Sequence, residues 1–292
     1  MGQLNATHLV VVGLGLMGGS LARALRPHVA HLTGIDTDAA TRQAALQAGV
    51  AHAALPDLAG VRWRPGDLVV LATPVQTLLT QLRDLPRLAG GGCQVLDLGS
   101  TKAEIVAAMD ALPPAFAAVG GHPICGREVS GWETGSADLF RAQTFVLCPS
   151  ARTTPALREL ASELVTALGA TPLWLEAEAH DRIVALTSHL PYVLSALLMQ
   201  QAAATAQTNS PVWTVSGGGL RDMTRLAGSS PAMLRDILLT NRTAVVAEIG
   251  RFLTDLQHFQ NLLQTADADA LVAWLQAAYD QRQAYWRAKW EK

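Results

Sequence analysis

Short apolar runs alternate with helical stretches through the first 175 residues. Residues 8–12 are apolar after the opening histidine and rich in β-branched side chains, which predicts a strand buried on both faces. A glycine turn over 13–19 leads into a helix at 20–25. Residues 31–35 read as a second strand, and 41–49 as a helix stopped by glycine. Further strands are expected at 68–72, 95–98, 117–120, 145–148 and 171–175. Strands alternating with helices predict an α/β fold, a doubly wound parallel sheet of Rossmann type covered on both faces. From about Ala177 the strand signals vanish. Residues 180–205, 233–264 and 269–290 carry Ala, Leu and Gln at helical spacing. The expected division is an α/β domain over 1–176 and an all-helical domain over 177–292. Trp274, Trp286 and Trp290 fall on the late helices, where core or subunit packing is the expected use.

Composition narrows the classes. The chain has 292 residues, enough for two domains. Half of it is hydrophobic and 16% is charged, which excludes a disordered chain. A formal charge of −2 offers no basic footprint, so no nucleic-acid partner is expected. Cys93, Cys125 and Cys148 make neither a disulfide framework nor a zinc set, so a reducing cytoplasm and no metal are expected. The apolar start at 9–25 lacks a basic flank and is broken by four glycines, unlike a signal peptide. Gly2 does not make a myristoylation signal, because Ala6 stands where Ser or Thr is needed. Residues 183–199 contain His189 and Pro191 and read as too short and too polar for a membrane span.

The first chemistry-bearing motif is Gly13-Leu14-Gly15-Leu16-Met17-Gly18, a GxGxxG that follows a strand and opens a helix. Gly13 permits the turn, Gly15 lets backbone approach a pyrophosphate, and Gly18 lets helix and strand pack closely. The helix N-terminus offers its free N–H groups to the phosphates. Asp36 ends the second strand, where a carboxylate accepts from ribose hydroxyls and repels a 2′-phosphate. Thr37 and Asp38 follow with no adjacent arginine, so NAD is expected over NADP. Thr73-Pro74 follows the strand at 68–72 and is expected to border the cofactor, although a strand-terminating turn also explains it. These positions make 1–176 a dinucleotide-binding domain.

Three polar segments stand out from apolar surroundings. They are Asp97 to Lys102 (DLGSTK), Gly120 to Glu128 (GGHPICGRE) followed by Ser130-Gly131, and a set in the helical half. That set holds His180-Asp181, Ser188-His189-Leu190-Pro191 and Gly217 to Arg225 (GGGLRDMTR). Singly, each has a plain structural reading: His122 a loop histidine, His189 a hydrogen-bonded core histidine, Arg225 a surface arginine. Together and in this order, from about Val10 to Asn241, they resemble the prephenate and arogenate dehydrogenase family of tyrosine biosynthesis.

The resemblance implies oxidative decarboxylation of a cyclohexadienyl substrate with NAD, in the cleft between two domains. Hydride leaves C4, the C4 hydroxyl loses its proton, and CO2 departs as the ring becomes aromatic. By the same resemblance His122 accepts the hydroxyl proton, Ser100 is its hydrogen-bonding neighbour, and His189 is a second active-site histidine. Arg225 matches the family's carboxylate-binding arginine; a guanidinium fork suits that group. Asp222 is expected to orient Arg225, Glu128 to gate the cleft, and Arg127 to add positive potential. Cys125 and Arg127 depart from the residues common in relatives, and Cys125 is expected to be inert. Tyr192 stands where some relatives carry another histidine. The helical domain forms a dimer in this family, so a homodimer is expected. Neither an ACT regulatory domain nor a chorismate mutase extension is expected.

Prephenate is favoured over arogenate because position 225 is an arginine rather than an acid. A 3-hydroxyacid dehydrogenase is the rival enzyme. It needs a catalytic lysine on the helical domain, whereas no lysine occurs between Lys102 and Lys289. A non-catalytic NAD-binding redox sensor accounts for the glycine motif but not for His122, Ser100, His189 and Arg225 in family order.

Overall fold

The structure is a computed structural model that describes residues 3–126, 129–208 and 211–291. In chain order the α/β part runs β1 (His8–Val12), α1 (Leu16–Leu25), β2 (His31–Ile35), α2 (Ala39–Gln47) and β3 (Ala53–Leu55). It continues with β4 (Leu68–Leu71), α3 (Val75–Leu88), β5 (Gln94–Asp97), α4 (Ala103–Asp110) and β6 (Ala117–Pro123). It ends with β7 (Thr144–Pro149), α5 (Pro155–Ala167) and β8 (Thr171–Trp174). The sheet order is β3-β2-β1-β4-β5-β6-β7-β8.

Alternation along the strands explains why helices cover both faces. Leu9, Val11, Leu68, Val70, Leu96 and Val119 point to one side, where α1 and α5 supply Leu21, Leu25, Leu157 and Leu164. Val10, Val12, Val69, Leu71, Val95 and Ala118 point to the other, where α3 and α4 supply Leu78, Leu82, Ile105 and Met109. All of these side chains are buried, so the strands read as continuous apolar runs. The first six strands have the spatial order 3-2-1-4-5-6, whose reversal between β1 and β4 opens a ligand crevice at the strands' carboxyl ends.

The sheet departs from the expected pattern in three places. It is not wholly parallel: β6 and β7 run antiparallel, with His122 opposite Val146. That pairing carries β6 on through Gly121, His122 and Pro123, where a strand ending at Gly120 was expected. The three-residue β3 beside β2, Ala53-Ala54-Leu55, is too short and too poor in β-branched residues to be expected.

The helical part comprises α6 (Ala177–Val184), α7 (Leu190–Ala206), α8 (Val212–Val215), α9 (Gly218–Thr224), α10 (Pro231–Thr240), α11 (Arg242–Thr265) and α12 (Ala268–Trp290). The single helix expected at 233–264 is divided at Asn241. Between α6 and α7 lies one π turn, Ala185–His189, in which Leu190 N–H bonds Ala185 O. Pro191 accounts for it, because proline lacks the N–H that a regular helix would aim at residue 187. The run Ala177–Ala206 is thus 30 residues long and contains an 18-residue window of mean hydropathy 1.4, long and apolar enough by length and composition to cross a membrane. Its His180, Asp181 and His189 are nevertheless buried within the protein.

The chain forms two compact units, Met1–Val245 and Val246–Lys292. The second consists of most of α11 with α12, joined by Phe259 against Trp274 at 4.7 Å between ring centroids. Leu253, Leu256, Leu275, Trp286 and Trp290 stay exposed on it.

Candidate active site

The glycine loop connects β1 to α1. Gly13 has φ +88°, and its N–H bonds Ile35 O at 2.7 Å. A Cβ at Gly18 would lie 1.9 Å from Gly13 O, so only glycine lets α1 pack this close. A Cβ at Gly15 would meet nothing within 4 Å, which leaves a clear approach to the helix N-terminus begun by Leu16 and Met17. Asp36 braces the loop: its carboxylate accepts from Leu14 N at 2.8 Å and from Asp38 N at 2.9 Å. Thr73 lies against the loop, its Cγ2 3.0 Å from where a Gly13 Cβ would stand, and Pro74 precedes α3. Arg42 on α2 donates to Asp36 O at 2.7 Å and to Thr37 O at 3.0 Å. No arginine was expected beside Asp36. The six-residue separation hid it, and one turn of helix brings it back.

A second constellation forms where β5 and β6 end. Asp97 and Lys102 make a wholly buried ion pair. Lys102 Nζ also donates to Gly121 O at 2.7 Å, while Asp97 accepts from Gly99 N at 2.7 Å and Gly121 N at 2.9 Å. The buried charges are thus met by backbone groups as well as by each other. The result is a staple from β5 to the residue before His122. Gly121 has to be small, since a Cβ there would stand 2.4 Å from Asp97 O.

His122 is half-buried, and its Nδ1 lies 2.7 Å from His180 Nε2. His180 Nδ1 lies 2.8 Å from Asp181 Oδ1, and Asp181 also accepts from Lys102 N at 2.7 Å and Ala103 N at 2.9 Å. The expected partner of His122 was Ser100. Ser100 sits half-buried in the loop after β5, and among the described residues no hydrogen bond joins it to His122. His180 takes that place, because the extended β6 turns the imidazole toward α6. Burial, then the charges of His180, Lys102 and His189, hold the His122 pKa well below the usual histidine value. The ring is thus a neutral acceptor at physiological pH.

His189 ends the π turn. Asn241 Nδ2 donates to Asp181 O at 2.7 Å and lies 3.1 Å from His189 Nδ1, which it bonds as donor if the ring carries its proton on Nε2. Burial pushes the His189 pKa down to about 4. The sign follows from linkage. Below the ordinary value of 6.5 the unfolded chain binds a proton that the folded site refuses, so stability falls as pH drops. Between pH 7 and pH 5 His189 alone should remove about 2 kcal/mol. Urea unfolding at the two pH values checks this, with a His189→Gln variant expected to lose less; equal pH dependence in both proteins would contradict it.

The remaining expected residues are more scattered. Asp222, on α9, is exposed and accepts from Arg221 Nε at 2.9 Å. Arg225 is exposed at the start of the 3₁₀ turn that follows α9. An open cavity of about 460 Å³ lies beside this segment, lined by Met199, Trp213, Arg221 and Thr224 among others. His122, Ser100 and His189 are not part of its lining. Arg127 and Glu128 lie outside the described residues. Burial pushes the Cys125 thiol up to about 11, which keeps it protonated and inert.

Comparison with known proteins fits this geometry. Residues 21–172 match the family model described as the prephenate dehydrogenase nucleotide-binding domain, and residues 176–277 match its dimerization domain. The chain is 31% identical over 290 residues to prephenate dehydrogenase of Bacillus subtilis, covering 97% of this chain and 76% of that one. It superposes on prephenate dehydrogenase of A. aeolicus, solved with hydroxyphenyl propionate and NAD+, with TM-score 0.90. That pair is 28% identical, with 97% of this chain and 100% of the other covered. Against Synechocystis arogenate dehydrogenase the TM-score is 0.83 at 27% identity, covering 95% and 99%. With two family models covering most of its length and a relative at this identity, the chain belongs to the prephenate dehydrogenase family.

Proposed function

We propose that the protein catalyses NAD-dependent oxidative decarboxylation of prephenate to 4-hydroxyphenylpyruvate. The observation that carries this is one edge of the sheet. The glycine loop after β1, Thr73 after β4, Ser100 after β5 and His122 near the end of β6 all lie at the carboxyl ends of neighbouring strands. A nucleotide cradle and a neutral histidine thus share one crevice.

The loop geometry fits a dinucleotide. Open space at Gly15 admits a pyrophosphate, and the N-terminus of α1 at Leu16, Met17 and Gly18 supplies N–H groups. Asp36 accepts from the ribose hydroxyls with the lone pairs that Leu14 and Asp38 leave free. NAD held by that loop would supply the acceptor for the hydride that leaves C4 of the substrate. His122 accepts the proton of the C4 hydroxyl at Nε2, which its bond to His180 leaves available. As the C4 oxygen gains electron density, the bond to the ring carboxylate cleaves, CO2 leaves and the ring becomes aromatic. Ser100 holds the hydroxyl beside His122, and His189 donates from Nε2 toward the substrate. Arg225 binds a carboxylate, Asp222 fixes that arginine segment through Arg221, and Arg127 and Glu128 border the entrance.

One CO2 and one NADH per prephenate consumed is the expected stoichiometry; cofactor reduction without CO2 would contradict it. Replacing Asp36 with alanine is expected to weaken NAD binding about 10- to 100-fold, the range for losing hydrogen bonds to a charged acceptor. It should also raise relative use of NADP, since the carboxylate that repels a 2′-phosphate is gone while Arg42 remains beside that position. Kinetics with both cofactors check this, and an unchanged preference removes Asp36 from the site.

Residues 1–176 then bind the dinucleotide, and 177–292 serve substrate binding and dimerisation. The apolar side chains left exposed on α11 and α12 suit burial in a homodimer. Light scattering is expected to give twice the 30.9 kDa chain mass; a monomer would contradict it. Biosynthetic chemistry of this kind belongs in the cytoplasm. Arogenate, with an ammonium where prephenate has a keto group, is the second reading, favoured by the likeness to the Synechocystis enzyme.

A further inference from the structure

His180 and Asp181 have no part in the mechanism above, yet both are buried, 1% and 3% exposed, and both sit in line with His122. With one proton on each ring, their hydrogen bonds allow one assignment. Asp181 accepts two backbone N–H groups, from Lys102 and Ala103, so it faces His180 as an acceptor. His180 Nδ1 therefore carries the hydrogen directed at Asp181 Oδ1, 2.8 Å away. With that single proton on Nδ1, His180 Nε2 is bare and can only accept. The group facing it at 2.7 Å, His122 Nδ1, must then be the donor. His122 is left with its lone pair on Nε2, the nitrogen not engaged by His180.

We infer that Asp181 and His180 form a positioning relay that locks His122 in the Nδ1–H tautomer and so reserves Nε2 for the proton of the substrate hydroxyl. The inference rests on the assignment of His122 as proton acceptor. Neither relay residue touches the reacting atoms; they act through His122, as a carboxylate does when it fixes an imidazole's tautomer in other enzymes. The relay is anchored at three points. Asp181 is held by the first N–H groups of α4, Asn241 grips the Asp181 carbonyl, and the Asp97–Lys102 pair holds Gly121 beside His122. A structural bystander would need none of this alignment: Asp181 could cap α4 without any bond to a histidine.

The test has two arms. In the first, ¹⁵N NMR of the ring nitrogens reads the tautomer of His122 in the wild-type protein without substrate, its signals assigned by their loss in His122→Asn. Protonation on Nδ1 is expected, and protonation on Nε2 overturns the inference whatever the activity. In the second, His180→Phe keeps an aromatic ring but removes the acceptor. Turnover is expected to fall about 10- to 100-fold, as when an outer partner that orients an imidazole is lost, with KM within about twofold. The His122 signals should also become a mixture of tautomers. His180→Gln, which retains a hydrogen-bonding side chain, is expected to recover part of the rate and serves if the Phe variant does not fold. A kcat within twofold of wild type in a folded variant overturns the relay. A wild-type protein inactive on prephenate but protonated on Nδ1 would sink the proposed reaction and leave the tautomer assignment standing.

Discussion

Replacing His122 with asparagine is expected to lower kcat by about 10²- to 10⁴-fold, the usual contribution of a positioned acid–base group, while KM stays near the wild-type value. Asparagine is close in size and can still meet His180, so the site should keep its shape. It loses the basic lone pair at Nε2, and the hydroxyl proton then has no acceptor as hydride departs. Binding contacts at the carboxylates are untouched, which is why KM is spared. Steady-state kinetics on a variant with wild-type thermal stability checks this. Turnover near the wild-type rate would remove His122 from the chemistry.

Replacing Lys102 with methionine should have the largest effect on stability. Lys102 and Asp97 are both fully buried. Methionine fills much the same volume but leaves the Asp97 carboxylate without its counter-ion, and breaking a buried pair from one side costs about 3–5 kcal/mol. For a chain of this length that lowers Tm by roughly 10 °C. Asp97→Asn in the same protein removes the stranded charge and keeps an acceptor for Gly99 or Gly121, so much of the loss should return. Calorimetry of the single and double variants tests this. A single variant as stable as the wild type would mean that the staple does not hold β5 to β6.

The architecture was largely legible because both faces of the sheet demand apolar side chains. The pattern over residues 8–12 and 68–72 could hardly place those strands anywhere but in the middle of a parallel sheet, and there they are found. The glycine loop was legible for the same kind of reason. Gly13 and Gly18 are dictated by contacts too close for any Cβ, and those contacts belong to a local βα turn. The end of β6 was not legible. Gly120-Gly121-His122-Pro123 has the composition of a turn, and only pairing with β7, more than twenty residues later, draws it out as strand.

The same gap explains what went unseen in the site. Ser100, in the loop between β5 and α4, was the expected hydrogen-bonding neighbour of His122. The bond that His122 makes is to His180, 58 residues away on a helix whose approach no local pattern specifies. Lys102 reads as a surface residue by type. Its burial follows from Asp97, five residues back, and from two glycines that make room for its stem. A buried-pair reading of the Asp97 to Lys102 segment was the available signal. The helix break at Asn241 is likewise written in tertiary contacts, since its side chain serves Asp181 and His189 rather than its own helix.

The most direct test is NADH or NADPH formation at 340 nm with prephenate and with arogenate, each offered NAD and NADP. Strong turnover of prephenate with NAD is the predicted result. Turnover of arogenate alone would keep the site chemistry and make tyrosine the product. Failure of both substrates while NAD still binds would contradict the assignment of His122, and of the crevice it shares with the glycine loop, as the seat of this reaction.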